Sequence, residues 1–472
     1  MGFLINALMG GNQGYFIIRM YNFLAGRFFV RESGGMPLRA LFVDFNSYFS
    51  SVEQQELPHL RGQPVAVVPV MTDSTCCIAA SYEAKKFGVK TGTNVGEARK
   101  KCPGIAIVEA RPPLYVKYHH ELIETVNSCL PVTSIRSIDE MCCTLAGRWQ
   151  EPATALGLAR EIKARIAAKW PYMLSSIGIA PNPFLAKTAS DMQKPNGLVV
   201  IKEADLPGCL FRLELRDFCG IGASREKRLH ECGIKTVKEL CLARKEVLHR
   251  AWNGIEGNRM FALLRGEEVE REESDRCTVG HSQVLEPKCR TKALAEATLH
   301  RLLQKAAARL RALGYLAAGM SVSVNFMGQQ RWGQEMNFLE TQDTLEFIRI
   351  FELMWQRYPA AAPTPLKVGV TFFHLTAVTN VTPHLPSMET SRLALDQAMD
   401  RLNLAYGRHT VYFGGAQPGV TTGPSKIAFT NIPDEELERR TFEPVVKKKG
   451  RGRFRTEGEA KDCKEGNRIG GK

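Results

Sequence analysis

Residues 41–53 read LFVDFNSYFSSVE. Leu41, Phe42, Val43 and Phe45 surround a single carboxylate, Asp44, and two rings, Tyr48 and Phe49, follow at once. The apolar run reads as a buried strand, and an acid inside such a strand costs free energy unless something compensates it. A partner segment stands at residues 134–145, SIRSIDEMCCTL, where Asp139 and Glu140 lie between a β-like entry and an apolar exit. Neighbouring strand residues face opposite ways, so these two acids can share a target only at a strand end or bend. Taken alone, either segment is better explained as a carboxylate paired with nearby Arg136 or as a capping acid. Taken together, three carboxylates from two distant segments suit divalent cations, and oxygen-only ligands favour magnesium. Two such ions about 3.5–4 Å apart activate an attacking oxygen and stabilise a leaving one in phosphoryl transfer.

A phosphate substrate also needs cations. ASYEAKKFGVKTG, residues 80–92, offers Tyr82, Lys85 and Lys86; AKTASDMQKPNG, residues 186–197, offers Lys187 and Lys194. Tyrosine hydroxyls and lysine ammoniums suit triphosphate oxygens, although each lysine alone reads as a solvated surface residue. With the acids they describe a metal–nucleotide site.

At 472 residues the chain is too long for one ordinary core, and 44% hydrophobic content is enough to build several. The net charge of +14 favours an anionic partner, with nucleic acid, lipid and simple solubility all compatible with charge alone. Thirteen cysteines lie mostly in apolar runs without zinc-type spacing, which reads as reduced packing thiols of a cytoplasmic protein. No run reaches the roughly 20 apolar residues of a membrane span. Residues 1–36 form an N-terminal extension with Arg19, Arg27 and Arg31 among apolar residues. A secretory leader places its charge before the apolar run, so a start assigned too early, with Met36 beginning the domain, explains this segment as well as targeting does.

From Pro37 to 203 strands and helices alternate, with a helix over 155–170 presenting Leu158, Ile162, Ile166 and Trp170 on one face. Residues 204–270 read as a helical module punctuated by glycines. Residues 277–378 follow a β-α-β-β-α-β order, a sheet with helices on one face. Residues 379–436 form a C-terminal extension with one amphipathic helix over 391–405 and a glycine-rich turn at 414–423. Residues 437–472 read as a basic disordered tail, since 447–472 carries ten Lys/Arg against four Asp/Glu.

Residues 215–240, LRDFCGIGASREKRLHECGIKTVKEL, have the spacing of a helix-hairpin-helix around Gly220, Ile221 and Gly222. Its glycines let backbone approach closely, and the N–H groups of the next helix can hold a phosphate without reading sequence. A plain helical turn is the alternative, and Arg225, Lys227 and Arg228 favour the DNA reading. Lys288 and Arg290 are plausible backbone contacts, with a solvated face as an equal account. Leu395, Met399 and Leu402 share one helix face that suits docking on this chain itself or on a partner.

The segments LFVDFNSYFSSVE, ASYEAKKFGV, SIDE and SIGIAPNPFLAKTASDMQKPNG (176–197) resemble, in order, the motifs of the Y-family translesion DNA polymerases, of the bacterial polymerase IV and polymerase V catalytic-subunit kind. The match runs from about 38 to 378. It implies an α+β multidomain right-hand polymerase: palm and fingers over 37–203 with the fingers at about 53–112, a helix-hairpin-helix thumb over 204–270, and a little finger over 277–378. By the resemblance Asp44, Asp139 and Glu140, with the backbone carbonyl of Phe45, hold two magnesium ions. Tyr82, Lys85 and Lys194 hold the incoming dNTP, and Phe49 is the steric gate beneath its sugar with Tyr48 beside it.

Two departures stand out: Asn46 where many members have a second acid, and Lys85 where many have arginine, which implies a weaker nucleotide grip. The implied function is error-prone, template-directed DNA synthesis on a primer-template opposite damaged bases, in the cytoplasm at the nucleoid. The resemblance leaves a sliding clamp and accessory SOS-type subunits open as partners, although no glutamine with aliphatic and aromatic anchors marks a clamp peptide. One alternative is a catalytically inactive Y-family scaffold that recruits other repair polymerases, whose mark would be lost carboxylates. Another is a metal-dependent nuclease, which would need neither Phe49 nor the lysines.

Overall fold

A computed structural model of the chain describes residues 36–269, 277–328, 330–380, 389–407 and 409–420. The N-terminal extension and the basic tail lie outside the described residues, as does the C-terminal extension beyond 420. The described residues fall into two compact units, 36–269 and 277–420.

In the first unit, chain order runs β1 (Ala40–Phe45), α1 (Tyr48–Glu56), β2 (Val65–Val68), β3 (Ala79–Ala80), β4 (Ala106–Glu109), α2 (Pro112–Asn127), β5 (Val132–Ser137), β6 (Glu140–Thr144), α3 (Pro152–Lys169), β7 (Ser175–Ala180), α4 (Pro183–Met192) and β8 (Leu198–Val200). The main sheet has the order β5-β6-β1-β7-β8. All six residues of β1 are buried, because antiparallel β6 and β7 take both its edges and helices cover both its faces. Leu41, Val43 and Phe45 face the core shared with α2 and α3, including Tyr115, Leu122 and Ile162. Ala40 and Phe42 face the other way, against Leu185, Ala186 and Ala189 of α4. By the alternation of a strand, Asp44 therefore looks toward the α4 side.

Local signals set the helix starts. Pro112 and Pro152 open α2 and α3, where proline's missing N–H costs nothing. The Asn182 side chain accepts from Leu185 N–H at 2.8 Å at the start of α4. That helix lies unusually close to the sheet: a Cβ at Gly178 of β7 would stand 2.0 Å from the Ala186 carbonyl oxygen. Only glycine admits this approach, which brings Lys187 over the end of β1.

A smaller sheet, β3-β2-β4, with short helices at Tyr82–Lys85 and Val95–Lys101, has its own core around Ala66, Val68 and Val95. Residues 208–264 are helical, with helices Ala223–Glu231, Val237–Leu242, Lys245–Trp252 and Ile255–Leu263. Phe218 joins this module to α4 by stacking on Phe184 at 5.9 Å.

The second unit has the expected order: β9 (Thr278–Val284), α5 (Lys292–Ala312), β10 (Tyr315–Phe326), β11 (Arg331–Thr341), α6 (Thr344–Trp355) and β12 (Pro365–Ala377), with sheet order β11-β10-β12-β9. Leu299, Leu303 and Leu310 of α5 and Phe347 and Phe351 of α6 fill its core, each such burial contributing about 1.5–3 kcal/mol. A further helix, α7 (Glu389–Tyr406), belongs to the same unit. Of the two dockings open to Leu395, Met399 and Leu402, on this chain or on a partner, the first is not how α7 is attached. Leu395 and Leu402 are exposed, and α7 is held by Asp396 and Asp400, which pair with Arg311 of α5. The expected glycine-rich turn instead forms short helices at Gly414–Ala416 and Gln417–Val420. A Cβ at Gly419 would lie 2.4 Å from the Ala297 carbonyl oxygen, so this segment lies flush on α5.

Candidate active site

The β1–β6 register places Asp44 opposite Glu140, and Phe45 N–H donates to the Asp139 carbonyl at 2.9 Å. Asp139 occupies the turn between β5 and β6, which lets it and Glu140 address one space despite being adjacent. Asp44, Asp139 and Glu140 line a single cavity of about 260 Å³ with Phe45, Tyr48, Phe49, Tyr82, Lys85, Lys187 and Lys194. Asp44 of β1 thus meets Asp139, 95 positions on, and Glu140 at the start of the neighbouring β6.

Their cations are Lys187 and Lys194 rather than Arg136. Lys187 Nζ lies 2.5 Å from Asp44 Oδ2 and 2.6 Å from Glu140 Oε1; Lys194 Nζ lies 2.7 Å from Asp44 Oδ1. A fourth acid, Asp191, touches both lysines, at 3.3 Å and 2.8 Å. Sequence reading passed over Asp191, yet its spacing of four from Lys187 marks a shared helical face, and Lys194 lies two residues beyond the helix end. Burial opposes the Lys187 charge, but Asp44, Asp191 and Glu140 outweigh it and raise its pKa. Asp139 is pushed up to about 6, chiefly by burial, with Asp44 and Glu140 adding like-charge repulsion against the Ser137 hydroxyl that donates to it at 2.6 Å. Lys85 donates to Ser47 Oγ at 2.7 Å, and burial, with Lys194 nearby, lowers its pKa.

The donor set is the chemistry a hard divalent cation requires, all carboxylate oxygen. Among the described residues no three acidic, histidine or cysteine side chains form a ready metal cage. Asp44 and Glu140 close on the two lysines instead, so a cation would enter there by exchange with ammonium groups, while Asp139 is held by Ser137.

Asn46 faces away from this exchange. Its amide oxygen accepts from Asn196 N–H at 2.7 Å and its amide nitrogen donates to Ser176 Oγ at 3.1 Å. Asn46 therefore ties β1 to β7 and to the turn after Lys194. His119 of α2 was also missed. It is buried, its pKa lowered to about 4 by burial, and the neutral ring's Nδ1–H donates to the Ile138 carbonyl at 2.8 Å, fixing the turn before Asp139. Beside His120 in the middle of a helix, His119 carries no sequence signal of this contact.

Phe49 is buried with an edge on the cavity and stacks on Tyr115, ring centroids 4.5 Å apart. Tyr48 lies beside it at 5.7 Å. Away from the cavity, Gly220 has φ 87° and Gly222 caps the helix beginning at Ala223, while Ile221 is buried. The helix expected before this turn is a single 3-10 turn, Leu215–Asp217. Arg225 folds over the Trp252 ring at 4.9 Å. In the second unit Lys288 pairs with Glu286 at 3.2 Å, and Arg290 Nε donates to the Leu285 carbonyl at 3.1 Å.

The family model described as impB/mucB/samB matches residues 43–191, and its C-terminal domain matches residues 276–385. DNA polymerase IV of Moorella thermoacetica is 32% identical over 380 residues, covering 79% of this chain and 94% of the relative. DNA polymerase IV of Pelotomaculum thermopropionicum is 30% identical, with 79% and 93% covered. Among solved structures, a Y-family DNA polymerase chimera of Dbh and Dpo4 shares the fold with a TM-score of 0.59 at 23% identity, covering 72% of this chain and 99% of its own. These relatives define the class, a nucleotidyltransferase of polymerase architecture. The chain belongs to the Y-family of translesion DNA polymerases, which are DNA-directed DNA polymerases.

Proposed function

We propose that this protein extends a primer by template-directed addition of dNTPs opposite damaged bases. The observation that carries the reading is the convergence of Asp44, Asp139 and Glu140 with Lys85, Lys187 and Lys194 around one cavity floored by Phe49. Asp44, Asp139, Glu140 and the Phe45 carbonyl would hold two magnesium ions, which when bound lower the pKa of the primer hydroxyl and carry the triphosphate.

The protein's own part is positional. Tyr82 presents a hydroxyl, and Lys85 and Lys194 present ammoniums, to triphosphate oxygens as they give up Ser47 and Asp44. Asp191 is placed to keep Lys187 when Asp44 and Glu140 release it. Phe49 supports the sugar and excludes a 2′-hydroxyl. Holding the reactants in line accounts for much of the acceleration in such sites. Gly220–Gly222 and the helix after it would hold a DNA phosphate, with Lys288 adding contact from the second unit; Arg225 and Arg290 serve the fold first, through Trp252 and Leu285. Among the described residues no helix is long and apolar enough to cross a membrane, and the reading places the protein on nucleoid DNA in the cytoplasm.

Purified protein with a labelled primer-template, magnesium and dNTPs is expected to lengthen the primer one nucleotide at a time, past a template lesion as well as on intact template. A shortened primer would establish the nuclease instead. An unchanged primer with retained DNA binding would establish the scaffold.

A further inference from the structure

A floor beneath the sugar can refuse one extra oxygen only if it does not recede. A radial shift of about 0.5–1 Å already forfeits much of a van der Waals contact, so what lies behind Phe49 matters as much as Phe49. Behind it is Tyr115, whose ring stacks at 4.5 Å with an interplanar angle of 22°.

Tyr115 is itself fastened at two points, one of them braced in turn. Its hydroxyl donates to Glu53 Oε1 at 2.7 Å. Its carbonyl accepts from the Tyr48 hydroxyl at 2.7 Å. Glu53 in turn takes both guanidinium contacts of Arg111, Nε at 3.1 Å and a second nitrogen on the other oxygen. Phe49 and Glu53 are four residues apart on α1 and so share a face; one presses on the ring of Tyr115 and the other holds its hydroxyl. Glu53 is wholly buried. Arg111 is 42% exposed, and a buried carboxylate is more than packing needs, since an apolar side chain would fill the place of Glu53 without desolvating a charge.

We propose that Tyr115, anchored by Glu53 and Arg111, is a positioning residue that fixes Phe49 under the sugar and thereby sets the discrimination between deoxyribonucleotides and ribonucleotides. The inference rests on the reading of Phe49 as the gate. It makes Tyr115 a specificity determinant that touches no substrate and lies 66 positions beyond the gate in the chain.

The test measures kcat and KM for a dNTP and the matching rNTP on undamaged primer-template, in the parent and in Phe49→Ala, Tyr115→Leu and Tyr115→Phe. Tyr115→Leu is expected to lower the dNTP-to-rNTP ratio of kcat/KM by about tenfold, through better use of the rNTP, with the dNTP value held within about threefold. Tyr115→Phe keeps the ring and loses only the hydroxyl tie, so its ratio should fall by about two- to threefold. Equal losses for both nucleotides in Tyr115→Leu would mean a merely structural tyrosine and overturn the proposal. A ratio unchanged in Tyr115→Leu but collapsed in Phe49→Ala would overturn it while leaving the gate standing. A ratio unchanged in Phe49→Ala would remove the gate reading and this inference with it. Should Tyr115→Leu fail to fold, Tyr115→Phe decides, since an unchanged ratio there excludes the hydroxyl anchor.

Discussion

Asp139→Asn is expected to lower primer extension by about 10³-fold or more, equivalent to about 4 kcal/mol of barrier, while DNA binding is unchanged. The substitution keeps the shape of the side chain and leaves an oxygen to accept from Ser137, but removes the negative charge a divalent ion needs. Stability should move the other way. The folded pKa of Asp139 is pushed up to about 6 from an ordinary value of 3.8, so ionising this group costs the fold as pH rises through that range, and the cost is fully present above it. Asparagine has no such cost. Without divalent ions at pH 8, the variant should therefore melt no lower than the parent, and the parent should gain more from added magnesium than the variant. A variant that extends primers within tenfold of the parent would exclude Asp139 from the catalytic cluster. One that melts far below the parent would show that its role is structural.

This opposition of activity and stability explains which parts of the site were legible. Asp44 stood out as a charge inside an apolar strand and Asp139–Glu140 as two acids before an apolar exit, although each segment alone was better explained by pairing with Arg136 or by capping. Their meeting depends on a register, Asp44 opposite Glu140, that no local pattern encodes. The lysines were visible as charges, but their pairing with the acids required α4 to lie against the sheet, which Gly178 permits through a contact visible only in three dimensions. Tyr115 and Glu53, 62 positions apart, could be joined only by the packing of α2 on α1. The β-α-β-β-α-β order was legible because its helices and strands differ strongly in period. The mode of attachment of α7 was not legible for a physical reason: its leucines, which suited docking on this chain or a partner, are exposed, while its buried contact is made by carboxylates.

That attachment carries a second large effect. Arg311 of α5 is 8% exposed and donates to Asp400 at 2.7 and 3.0 Å and to Asp396 at 3.2 Å. It also reaches the Thr344 hydroxyl and the Gln342 carbonyl at the start of α6. Asp396 is more deeply buried still and accepts from Thr344 N–H at 2.9 Å. Arg311→Met fills the space but strands Asp396, and breaking a buried pair from one side costs about 3–5 kcal/mol. Denaturant unfolding of the second unit should show a loss of that size. Burial already raises the Asp396 pKa in the parent, and removing Arg311 would raise it further. The stranded carboxylate is then tolerated when protonated and costly when ionised, so the deficit relative to the parent should be smaller at pH 5 than at pH 8. Adding Asp396→Leu to Arg311→Met removes the stranded charge and should recover most of the loss. A single-variant cost below about 1 kcal/mol would place this pair with ordinary surface ion pairs, and α7 would then be an appendage. With the expected cost, α7 is part of the second unit, because its Asp396 and Asp400 supply the carboxylates that hold Arg311.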